Sequence, residues 1–180
     1  DDQRALVLAR GYIDHEAAHV RVTDFGEWQK ATGIVQPLAN VFEDIRIEQD
    51  TMRRYPGSRK NLYDLIGEVI NEGGFAMPSG DCKPFEIIHN FLLCRLRAEV
   101  LGQDLLAPIA DAWEKRLDQM LPRDFKDTLE EIMARADRQQ STVDAISLAR
   151  EVIQTMKDHQ QAQEEAAENT SQEGSSDTGD

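Results

Sequence analysis

The chain has 180 residues, 40% of them hydrophobic and 6% aromatic, with a formal net charge of -14. That length suits one domain, or one domain with a tail. The charge sets nucleic acid and anionic membrane aside as partners, and points to a cation or a basic partner.

The apolar spacing reads as helix almost throughout, and no segment alternates apolar and polar residues over a strand length. The first helix spans roughly Gln3 to Val22, with Leu6, Leu8, Tyr12, Ile13 and Val20 as its apolar residues. Gly11 interrupts it, either tolerated or required by close packing. "TDFGEWQKATG" reads as an irregular connection. The second helix begins near Pro37, a favoured first-turn position, and ends at Pro56-Gly57. Ser58 caps a third helix that stops at Gly73-Gly74. Pro84 opens a fourth, "FEIIHNFLLCRLRAEVL", closed by Gly102; its apolar content places it at the centre of the bundle. Two amphipathic helices separated by Pro122 follow. Ser141 or Thr142 caps the last helix.

From His159 to Asp180 there is no Lys or Arg, and six residues are acidic. Such a stretch buries too little apolar area to offset its ordering entropy. The expected architecture is all-α: a bundle of about six to seven helices over 1–158, then an acidic disordered linker at 159–180 leading toward a further domain. Cys82 and Cys94 are too few for a disulfide framework, so a reducing cytoplasm is the expected compartment. Neither a transmembrane run nor a signal peptide is visible. The chain opens "DDQRALVLAR" without Met and reads as a fragment.

"IDHEAAHV", residues 13–20, carries the chemistry. Positions i and i+4 of a helix share a face, so His15 and His19 can aim two imidazoles at one metal ion. Glu16 follows the first histidine, where a zinc hydrolase needs its general base. Ala17, Ala18, Ile13 and Val20 let the rest of this helix be buried. A catalytic zinc takes a third protein ligand and leaves one position for water. The next helix offers "NVFEDIRIE". Glu43 is the first choice for that third ligand, then Asp44, then Glu48. The carboxylates left over are expected to orient a histidine ring or to pair with Arg46. The cofactor expected is therefore Zn²⁺, with Glu16 as the catalytic residue.

His89 reads as a core histidine and His159 as a solvated one. Trp28, Trp113 and Tyr12 read as packing residues.

"ARGYIDHEAAHVRVTDF", then "NVFEDIRIE", then "YPGSRKNL", resembles the N-terminal region of cobaltochelatase T-subunit-like proteins. The resemblance implies a helical domain, an acidic linker and a C-terminal von Willebrand A-type domain. Members with an intact His-Glu-x-x-His resemble zinc metallopeptidases, with a protein or peptide substrate. The cobaltochelatase subunits themselves work with an AAA-type ATPase ring in inserting cobalt into a corrin ring, and keep a pattern that matches Glu43, Arg46 and Glu48 but not a clean zinc motif. One departure stands out. Familiar zincins have a β-sheet whose edge strand holds the peptide, and no strand is evident here. Two functions follow as expectations: a zinc-dependent hydrolase, or a non-enzymatic adaptor that docks on an ATPase ring.

Overall fold

A computed structural model describes residues 2–173. Among them are eight α-helices and no strand: α1 (Asp2–Val22), α2 (Phe25–Trp28), α3 (Val35–Arg54), α4 (Ser58–Asn71), α5 (Pro84–Val100), α6 (Ala107–Met120), α7 (Arg123–Met133) and α8 (Thr142–Glu173). Short 3₁₀ turns lie at Asp104–Leu106 and Ala136–Arg138. The all-α expectation holds.

Helix α3 is the axis of the bundle, touching α1, α4, α5 and α8. Its apolar stripe of Leu38, Val41, Phe42, Ile45 and Met52 is buried, and so are Glu43, Asp44, Arg46 and Glu48. Apolar content alone pointed to α5 as the centre. The charged residues of α3 neutralise one another and their neighbours inside the protein, so α3 is the more enclosed of the two. Helix α5 packs on α3 and α6, and α7 packs on α8.

Helix α1 lies along α4 and α3 and does not have the expected apolar inner face. Only Gly11 and Ala18 are buried in it. Ile13 is 65% exposed and Val20 77%, and Leu6 and Tyr12 are also exposed. The helix docks through small and polar residues instead. A Cβ placed on Gly11 would stand 2.4 Å from Leu65 Cβ and 3.0 Å from the Asn61 carbonyl oxygen, so α1 and α4 touch at this residue. Asn61 also donates to Asp14 Oδ2 across the same contact (2.8 Å).

Three local expectations are revised. Asp24 accepts hydrogen bonds from the backbone N–H groups of Gly26 and Glu27, which turns part of the expected irregular connection into the one-turn helix α2. Ser58 is the first residue of α4 and donates to the Tyr55 carbonyl, so it does not cap the helix through an N–H. Helix α8 continues through Glu173, so residues 159–173 of the expected linker are helical. Gln160 with Glu164, and Gln161 with Glu165, bond at i,i+4 spacing and carry the helix into this polar stretch. The rest of the expected linker, 174–180, lies outside the described residues.

Two turns matter for the site. At the start of α8, Ser141 Oγ accepts from the Asp144 N–H, and the Asp144 carboxylate accepts from the Ser141 N–H. This reciprocal cap fixes Thr142 at the first position of α8. After α5, Gly102 adopts a φ of +70°, which a residue with a Cβ rarely takes. That turn brings Gln103 back against α5.

Candidate metal centre

His15 and His19 face α3 from the inner side of α1, with ring centroids 4.9 Å apart. The residue opposite them is Asp44. Its Oδ1 lies 3.3 Å from His19 Nε2 and 3.9 Å from His15 Nε2. One ligand atom from each of the three residues falls within 4.8 Å of the others.

Each of the three is held by partners behind it. Asp44 Oδ2 accepts from Arg97 Nη2 and from Asn40 Nδ2, both at 3.2 Å. Oδ1 is buried and has no hydrogen bond. The His15 Nδ1 stands 2.9 Å from Glu48 Oε1. Glu48 is a buried carboxylate held by Arg97 Nη1 (3.0 and 3.1 Å) and by Gln103 Nε2 (3.0 Å). Burial alone would raise the Glu48 pKa, but the Arg97 guanidinium and the His15 bond hold it below the ordinary carboxylate value. A carboxylate only accepts, so His15 carries a proton on Nδ1, and in the neutral ring the lone pair falls on Nε2, the nitrogen nearer Asp44.

The His19 ring is set by one further relay. Its Nδ1 is 3.0 Å from Thr23 Oγ1, and Thr23 Oγ1 donates to Glu43 Oε1 at 2.8 Å. Glu43 forms a bidentate ion pair with Arg46 (2.9 and 2.6 Å) and again only accepts. The Thr23 proton is therefore committed to Glu43, its oxygen accepts from His19 Nδ1–H, and in the neutral ring the lone pair falls on Nε2. Two imidazole Nε2 atoms and one carboxylate oxygen without a hydrogen bond thus lie close enough together to share one ion.

Burial is the largest influence on His15 and pushes its pKa down. The Glu48 hydrogen bond and the Asp44 and Glu48 carboxylates together outweigh that effect, and hold the pKa above the ordinary imidazole value. The site attracts positive charge.

The expected site residues divide as follows. His15 and His19 come together. Glu43, the first choice as third ligand, does not join them: it is fully buried against Arg46, Thr23 and Thr142. Three positions on from Asn40 it faces the other way, and the i+4 position, Asp44, takes the place beside the rings. Glu48 sits behind His15. Glu16 is exposed on α1.

Residues 2–180 match the family described as cobalamin biosynthesis protein CobT. The chain belongs to the CobT family. No curated protein and no solved structure matches it significantly.

Within this CobT-family chain, four contributors to the site stand outside the motif: Thr23, Arg97, Gln103 and Thr142. Only Arg97 leaves a sequence signal, as a cation inside the apolar run "FLLCRLRAEV". The remaining histidines lie apart from the cluster. His89 stacks on Phe85 at 6.1 Å, with its pKa lowered by burial. His159 lies 5.7 Å from the Phe125 ring. Trp113 is buried and donates to the Ala76 carbonyl, a packing role. Among the described residues, no helix is long and apolar enough to cross a membrane.

Proposed function

We propose that this chain is the helical part of a cobaltochelatase-type subunit of cobalamin biosynthesis. In this reading it works with an AAA-type ATPase partner and carries a resident divalent metal ion on His15, His19 and Asp44. Family membership supports the pathway. The resemblance to cobaltochelatase T-subunits supports the ATPase partner, and the same resemblance has α8 leading toward a von Willebrand A-type domain.

One observation carries the metal ion: the buried Asp44 Oδ1, without a hydrogen bond, facing two imidazole nitrogens. A buried anionic oxygen left unpaired is costly, and a shared cation removes the cost. Two imidazoles and one carboxylate suit Zn²⁺, and also Co²⁺ and Fe²⁺. A bound ion supplies Lewis acidity at its open position. The chain's own work is to hold both rings in the tautomer that presents Nε2, through Glu48 on one side and Thr23 with Glu43 on the other. The cobalt to be inserted is a substrate of the pathway and is not assigned to this site.

The test is a titration of the metal-stripped chain with Zn²⁺ and, separately, Co²⁺. One ion per chain is expected, lost in His15→Ala and His19→Ala with helix content unchanged by circular dichroism. A wild-type chain that takes up neither ion removes the metal from the proposal. Gel filtration with the ATPase subunit tests the partner: a common peak is expected, and separate elution at micromolar concentrations sinks that part.

The motif favours a second reading, a zinc-dependent metallopeptidase acting on a protein or peptide. Glu16 follows His15 on the same helix and is exposed, which leaves it available as a general base toward water. Against this, no edge strand stands among the described residues to hold an extended peptide. Glu16→Gln should abolish hydrolysis of a peptide library while zinc stays bound. If the wild-type, zinc-loaded chain cleaves nothing, this reading is retired.

A further inference from the structure

His15 and His19 are held in different ways. His15 leans directly on a carboxylate. His19 leans on a hydroxyl, and that hydroxyl leans on Glu43. Glu43 Oε1 is a junction: it accepts from Thr23 Oγ1 (2.8 Å), Thr142 Oγ1 (2.9 Å) and Arg46 Nη2 (2.6 Å). Thr142 is buried at the first turn of α8, and its oxygen also accepts from the Asp24 backbone N–H at 2.9 Å and from Arg46 Nη2 at 3.3 Å. Arg46 Nη2 closes the ring on the Val22 carbonyl (2.9 Å). The end of α1, the turn after it, the middle of α3 and the start of α8 thus share one buried polar network.

We propose that Thr23 is the positioning residue for His19, and that Thr142 acts on the same ring through Glu43. Binding of a divalent ion and anchoring of the first turn of α8 then strengthen each other. This coupling rests on the metal site proposed above.

The physical reason lies in the direction of the hydrogen bonds. Thr23 has one proton. While Glu43 holds that proton, the hydroxyl can only accept from His19 Nδ1–H, which leaves Nε2 as the nitrogen able to bind an ion beside Asp44. Without Thr142 and Arg46 on the same oxygen, Glu43 is free to turn, and Thr23 can donate elsewhere. The ring then loses both its orientation and its tautomer preference. Loss of such an outer partner lowers metal affinity by about 10–100-fold in comparable sites. Coupling of this kind is reciprocal: whatever factor the anchored Thr142 adds to ion affinity, the ion adds to the anchoring of Thr142.

The test uses the whole chain, Zn²⁺ affinity measured by competition with a chromophoric chelator, and hydrogen exchange. Thr23→Val is expected to weaken Zn²⁺ binding by about 10–100-fold, and Thr23→Ser to recover it to within about threefold. Thr142→Val is expected to weaken it by about five- to tenfold, with Thr142→Ser recovering it. In the wild-type chain, which needs no substitution to fold, Zn²⁺ should slow amide exchange at residues 142–146. Thr23→Val within twofold of wild type, beside a His19→Ala that binds nothing, overturns the positioning role and leaves the metal reading intact. Unchanged exchange at 142–146 on Zn²⁺ binding overturns the coupling to α8. A wild-type chain that binds no metal overturns this inference together with the reading beneath it.

Discussion

Oδ1 of Asp44 stands 3.3 Å from Nε2 of His19, buried and without a hydrogen bond. The other oxygen of the same carboxylate is held by Arg97 and Asn40. The protein therefore orients this side chain from behind and leaves its front to the histidines. Such an arrangement is unfavourable unless a cation stands in front of it.

Asp44→Asn keeps the shape of the side chain and removes its charge. Metal affinity should fall by more than about a hundredfold, beyond what loss of an outer partner costs. Isothermal titration with Zn²⁺ measures it. Affinity within tenfold of wild type would show that Asp44 is not a ligand.

Glu43→Gln tests the correction to the expected ligand set. Glu43 and Arg46 form a buried pair, and taking the charge from one leaves the other uncompensated. The expected loss is about 3–5 kcal/mol of folding stability, read from urea denaturation of the metal-stripped chain. A loss that shows only when metal is present would return Glu43 to the ligand set.

Gly11→Ala improves helix propensity by about 1 kcal/mol, yet should destabilise the protein by about 1–2 kcal/mol net. The new methyl group would meet Leu65 Cβ and the Asn61 backbone, neither of which can swing away. Leu65→Ala does not rescue it, because the clash is with Cβ. A denaturation midpoint at or above wild type would show that α1 does not sit on α4 in this register.

Asp144 links stability to pH. The backbone N–H of Gln140 is the largest cause holding its carboxyl below the ordinary range, with Ser141 and the charge of Arg46 adding to it. The folded value lies below the unfolded one. The cap's contribution is therefore full above the unfolded value of about 4 and fades as pH falls through the folded value. Asp144→Ala should cost about 1 kcal/mol at neutral pH, with a gap to wild type that narrows below pH of about 4. Thermal melts of both proteins across pH 2.5–7 check this. A gap independent of pH would place the cap's strength elsewhere.

Much of the helical layout is legible because Pro37, Pro56, Pro84 and Pro122, with the Gly73-Gly74 pair and Gly102, punctuate the apolar periodicity. The α1 interior is misread for a definite reason. Ile13 and Val20 look like core, but α1 meets α4 through Gly11, and a helix that approaches this closely turns its larger side chains outward. Residues 159–173 look like linker because composition reports burial alone, and a helix can extend past its packed part on local Gln–Glu pairs.

That two imidazoles one helical turn apart share a face follows from 3.6 residues per turn and was legible from residue spacing. The sequence also limited the third group to a few carboxylates on the following helix. Which of them faces the rings was decided only by the rotation of α3 about its axis, and neighbours distant in sequence set that rotation. Arg97 of α5 claims Asp44 and Glu48, while Thr142 of α8 claims Glu43. A rotation of α3 by one residue position, about 100°, would replace one carboxylate with another. The long-range ion pairs that forbid this rotation exist only once α5 and α8 have packed.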